Sequence, residues 1–125
     1  MKTIIRGLYY RLPNTRIAWS DVEIRAGRYA SNDRLSLSAY TTDPEVGYVE
    51  CLTYLTVNLP EEPCPSGEAW FKTWGENSGI IPWLRENGII SDEATAVSRQ
   101  DYVDAYRFAL GERVIAALAA AEILP

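Results

Sequence analysis

RLSLSAYTTDPEVGYVECLTYLTVNL, residues 34–59, decides the fold class. In its first part Leu35, Leu37 and Ala39 alternate with Ser36, Ser38 and Tyr40. A period of two over 34–42 means a strand with one face buried. Pro44 is preset for a turn and Gly47 tolerates a positive φ, so TDPEVG turns the chain back. Residues 48–59 are rich in β-branched and aromatic side chains and read as a second strand, with Val49, Cys51, Leu55, Val57 and Leu59 expected to face the core. The two form an antiparallel hairpin. AGRYA (26–30) adds a preceding strand, ended by a turn at Asn32 and Asp33.

Outward from the hairpin, PEEPCPSGE (60–68) carries three prolines and a glycine and must be a loop. AWFKTW (69–74) resumes strand character. NSGIIPWLRENG then reads as a helix over about 78–87: Asn77 or Ser78 caps it, Pro82 fits the first turn, and Gly88 suits a left-handed C-cap. Trp83 and Leu84 are its inward anchors. Residues 102–108 alternate as a strand, although Tyr102, Ala105, Tyr106 and Ala109 also fit a helix. From 112 to 123 alanines with Val114, Ile115, Leu118 and Ile123 make a second helix, which needs a core or another chain to cover it. IIRGLYYRL and DVEIR, in the first 25 residues, are weak strands. The expectation is one α+β domain over 1–125, an antiparallel sheet of four to six strands with two helices packed on it.

Composition narrows the chemistry. A chain of 125 residues that is 47% hydrophobic suits a single globular domain. It has no histidine, which removes the commonest general base and metal ligand, and only two lysines, Lys2 and Lys72. The only cysteines, Cys51 and Cys64, are expected to be reduced, one as a small buried side chain and the other as a loop thiol. No metal or cofactor is expected. Arg6 and Arg11 interrupt the apolar N-terminus, against a signal peptide, and no run reaches the roughly 18 apolar residues of a membrane span. A cytoplasmic location follows as an expectation. Charge is unevenly placed: residues 1–34 hold seven basic and three acidic side chains, the remainder five basic and fourteen acidic, with no basic residue between Arg34 and Lys72. Such a region disfavours direct binding of nucleic-acid phosphates and favours a basic partner.

Three of the four tryptophans fall at 70, 74 and 83. In a strand over 69–74, Trp70, Lys72 and Trp74 share a face opposite Phe71. If that strand pairs with the hairpin, Tyr40, Tyr48, Tyr54, Trp70 and Trp74 lie on one side of the sheet, either covered by a helix or open to a partner. An aromatic, arginine-bearing and acidic patch has the composition of a protein-binding hot spot, with candidate residues Tyr48, Glu50, Tyr54, Glu61, Glu62, Trp70 and Trp74.

YASNDRLSLSAYTTDPEVGYVECLTYLTVNL, WGENSGIIPWLRENGII and DAYRF, within about 28–108, resemble a small uncharacterised domain family of accessory proteins from bacterial phages, plasmids and integrative elements. The matching features are the Leu55-Thr56-Val57-Asn58-Leu59 strand end, the helix cap at Asn77 and the closing Tyr/Phe strand. The resemblance implies a mobile-element protein of the host cytoplasm with no catalytic residues to carry over. An anti-CRISPR-like role follows, inhibition of a host complex that targets nucleic acid. The reading is therefore a non-enzymatic protein whose partner is basic or handles nucleic acid. Two alternatives stand beside it. One is a homo-oligomer joined through Val114, Ile115 and Leu118 of the last helix. The other is a small hydrolase working with carboxylates alone, for which Glu61-Glu62, Asp92-Glu93 and Asp101/Asp104 are the available pairs.

Overall fold

A computed structural model of the chain describes residues 1–41 and 47–125. Seven strands and two helices follow one another as β1 (Lys2–Arg11), β2 (Ala18–Arg28), β3 (Leu35–Thr41), β4 (Glu50–Tyr54), β5 (Glu68–Phe71), a 3-10 turn (Gly75–Asn77), α1 (Ile81–Glu86), β6 (Ile90–Gln100), β7 (Val103–Leu110) and α2 (Glu112–Ala120). The architecture is α+β, as expected. All pairing is antiparallel, in a four-stranded sheet ordered β1-β2-β3-β4 and a three-stranded sheet ordered β5-β7-β6.

The alternation in β3 does what its period requires. Leu35, Leu37 and Ala39 are buried, and pairing of Leu37 with Ala26 and of Ala39 with Ile24 in β2 extends the apolar face. Of the turn expected after it, residues 42–46 lie outside the described residues, and Gly47 has φ +82°. The following segment departs from its expectation. β4 stops at Tyr54, and a register shift opposite Ala39 and Tyr40 makes Leu52 the extra residue. That shift turns Thr53 inward, leaving Cys51 half-buried and Val49 exposed; only Leu55 of the expected inward set is fully buried.

Leu55–Val57 joins the sheets. The N–H groups of Leu55 and Thr56 donate to the Leu37 carbonyl, at 2.9 and 3.4 Å. On the other side Val57 N–H donates to Trp70 O and Lys72 N–H to Leu55 O, both at 2.9 Å. This segment is paired along both edges.

The core lies between the inner sheet faces and the helices, with Ile24, Leu37, Leu55, Phe71, Leu84, Ile89, Val114 and Leu118 fully buried. Each such side chain contributes roughly 1.5–3 kcal/mol. α2 packs on β1 and α1 on β6. In α2, Val114 and Leu118 face the chain's own core and Ile115 is on the exposed side, so only one of the three residues expected at a dimer interface is presented outward. α1 is shorter than expected and begins without a side-chain cap. Its N-cap position is Ile80, and Asn77 turns inward instead. Gly88 ends α1 at φ +69°, as expected. The approach of this corner to the start of α2 is close: a Cβ at Gly111 would lie 2.0 Å from the Gly88 carbonyl oxygen. β6 has no counterpart in the sequence reading, because ISDEATAVSRQ is largely exposed and shows no regular apolar alternation.

Candidate functional site

The four tryptophans have separate roles. Trp83 meets the edge of the buried Tyr10 ring at 4.8 Å and donates from Nε1 to the Tyr9 carbonyl at 2.8 Å, fastening α1 to β1. Trp19 stacks on Tyr10 with ring centres 6.0 Å apart. Trp70 was expected on a binding face but is 3% exposed. The proline-rich loop covers it. Its Nε1 donates to Pro63 O at 3.1 Å, and the Arg107 guanidinium lies 5.6 Å from its ring centre. Arg107 is held by Glu68 at 3.1 Å and by Pro63 O at 3.0 Å. Trp70 is therefore structural.

Trp74 is different. It lines an open groove of about 400 Å³ with Tyr29, Tyr54, Thr56, Val57, Asn58 and Lys72. Thr56 and Val57 of the doubly paired segment line it, and Tyr29 Oη lies 2.8 Å from Thr56 Oγ1. The walls are tied together from beneath by Asn77, fully buried, whose Nδ2 donates to Tyr54 O at 2.8 Å and to Lys72 O at 3.0 Å. Thr53 Oγ1 donates to Asn77 Oδ1 at 2.5 Å. Lys72, at the groove, pairs with Glu76 at 2.8 Å. That hydrogen bond and the lysine charge hold the Glu76 carboxyl below its ordinary value, outweighing a small rise from burial. The groove therefore carries a compensated charge pair and not a free cation.

Tyr54 stands 61% exposed at the rim, and the same strand leads to Glu50, Val49 and Tyr48, all exposed. Two of the expected contact residues, Tyr54 and Trp74, thus meet in one groove, with Glu50 at the far end of β4 and Tyr48 just before it. Glu61 and Glu62 line a second hollow of about 290 Å³ with Asn58, Leu59, Pro60 and Gln100. Asn58 borders both hollows, fixed by amide contacts with Asn32 at 2.9 Å and Ser31 at 3.1 Å. Glu62 is engaged, accepting from Ser98 at 2.8 Å. Tyr40, expected on the same aromatic face, lies beneath the Arg25 guanidinium at 4.3 Å.

Tyr29, Lys72 and Asn58 belong to the groove but were not among the expected residues. Lys72 was legible from its place between two tryptophans. Tyr29 reaches the groove only through β2–β3 pairing, and no local pattern signals that.

Three further titratable groups, Glu23, Cys51 and Cys64, are shifted by their surroundings. Burial would raise the Glu23 carboxyl, but hydrogen bonds from Arg25 (3.0 Å) and Thr3 and the charges of Arg25 and Arg6 hold it below its ordinary value. Burial pushes the Cys51 and Cys64 thiols up, so both stay protonated near neutrality. Among the described residues no cluster of three or more His, Cys, Asp or Glu side chains could hold a metal ion, and no helix is long and apolar enough to cross a membrane. In comparisons with family models, curated proteins and solved structures, the chain matches none.

Proposed function

We propose that the protein is a non-catalytic binding protein that receives a segment of another protein at the Tyr54–Trp74 groove and the adjoining β4. One observation carries this reading: an open aromatic groove lined by a doubly paired segment lies at one end of β4, with an exposed Tyr48–Val49–Glu50 stripe at the other. Aromatic side chains such as Tyr and Trp are enriched at protein hot spots, and the acids beside them suit a basic partner. Pairing of Lys72 with Glu76 argues against a backbone of nucleic-acid phosphates, which would need uncompensated cations.

The resemblance to mobile-element accessory proteins supplies the setting. The partner would be a basic or nucleic-acid-handling protein of the bacterial cytoplasm, a host defence complex being the case the resemblance implies. The test is affinity capture of the tagged protein from bacterial lysate, with and without nuclease, beside a Trp74→Ala/Glu50→Lys variant. Capture of a defined protein that survives nuclease and disappears with the variant supports the reading. Capture that nuclease abolishes, or that the variant retains, overturns it.

A further inference from the structure

We infer that the partner segment binds as an added strand on β4, and that this segment is extended and cationic. The inference rests on the protein-binding reading and specifies its geometry. β4 is an end strand of its sheet, and among the described residues no strand pairs along its outer edge. An end strand presents a row of free N–H and C=O groups, which proteins usually blunt with lysine, proline or a covering element. Glu50–Tyr54 contains neither lysine nor proline. Among the described residues, Asn77 covers the last position of this edge by donating to the Tyr54 carbonyl. An added strand would therefore run over 48–53 and stop at this amide, with its side chains entering the groove beside Tyr54 and Trp74.

Charge selects the occupant. No lysine or arginine occurs from 35 to 71, while Glu50 and Glu61 are exposed within the described part of that span. Glu50 is exposed on the docking strand itself, opposite the place an incoming side chain would take. Cross-strand pairs of opposite charge favour pairing, so an arginine- or lysine-bearing strand fits. Backbone bonds would supply affinity, and the Tyr54–Trp74 groove the side-chain selectivity.

The test uses the full chain and synthetic hexapeptides, acetylated and amidated, followed by amide NMR and calorimetry. The probes are alternating Arg-Val, alternating Glu-Val, and two Arg-Val forms N-methylated on alternate residues so that each blocks one peptide edge. We expect Arg-Val to shift the amides of Glu50–Tyr54. Glu-Val and one of the two N-methylated forms should bind about tenfold more weakly or worse, while the other methylated form still binds. Glu50→Lys should lose the preference for Arg-Val. If both methylated forms bind equally, or shifts are confined to Tyr54, Lys72 and Trp74, strand addition is overturned while the groove reading stands. If the β4 amides shift with protein concentration alone, the occupant is a second copy and the inference fails. Shifts caused only by an oligothymidylate probe, or none with any probe, overturn this inference and the protein-binding reading together.

Discussion

Trp70 and Trp74 are four residues apart in one run of chain, and their surroundings could hardly differ more. Trp70 has a loop carbonyl on its indole N–H, a guanidinium near its ring and almost no exposed surface. Trp74 borders an open groove beside the exposed Tyr54. The difference comes from the loop 60–67, whose prolines keep it out of any ladder, so that it folds over Trp70 and does not extend over Lys72 and Trp74. Aromatic clustering in a sequence thus marks a region, and the neighbouring loop decides which ring is core and which is surface.

The sharpest way to break this contrast is at the covered ring. Trp70→Ala should cost roughly 3–5 kcal/mol and lower the melting temperature steeply by calorimetry. A loss below about 1 kcal/mol would mean the loop does not bury Trp70 in solution.

Next in size is Asn77→Ala, which leaves the Tyr54 and Lys72 carbonyls and the Thr53 hydroxyl without their buried partner. Denaturant titration should show a loss of about 2–3 kcal/mol. The groove walls should loosen together, seen as faster exchange of the flanking amides.

The third effect separates buried from exposed carboxylates by pH. Glu23 and Glu76 both have folded-state values held below the unfolded value of 4.5. Their contribution is fully present above that value and is lost as pH falls through the folded values. The melting temperature should therefore fall with pH below about 4.5. Glu23→Gln should flatten the slope more than Glu76→Gln, because Glu76 is nearly half exposed and screened.

The smallest effect on stability belongs to the open side. Tyr54→Ala should change stability by no more than about 0.5 kcal/mol, as expected for a surface position, while removing capture of the partner. A large loss of stability there would move Tyr54 to the structural side of the comparison.

Much of the architecture was legible because β3, β7 and α2 carry periodic apolar patterns. What stayed hidden has physical causes. β6 buries little and so imposes no alternation. The inward turn of Asn77 depends on carbonyls at 54 and 72, which are distant or irregular in sequence, while local propensity pointed to a helix cap. The extra residue at Leu52 shifts which side chains of β4 face the core, and a two-residue period cannot reveal such a slip. At the groove, Tyr54 and Trp74 could be chosen from residue type, whereas Tyr29 and Asn58 arrive by long-range pairing.

The segment Leu55–Val57, bonded to Leu37 on one side and to Trp70 and Lys72 on the other, has a mechanical consequence. It acts as a seam through which neither sheet can open without the other, so the two should lose protection from hydrogen exchange as one cooperative unit. The groove that it lines would then keep this wall fixed through thermal breathing, leaving only the rings of Tyr54 and Trp74 to be ordered when something docks.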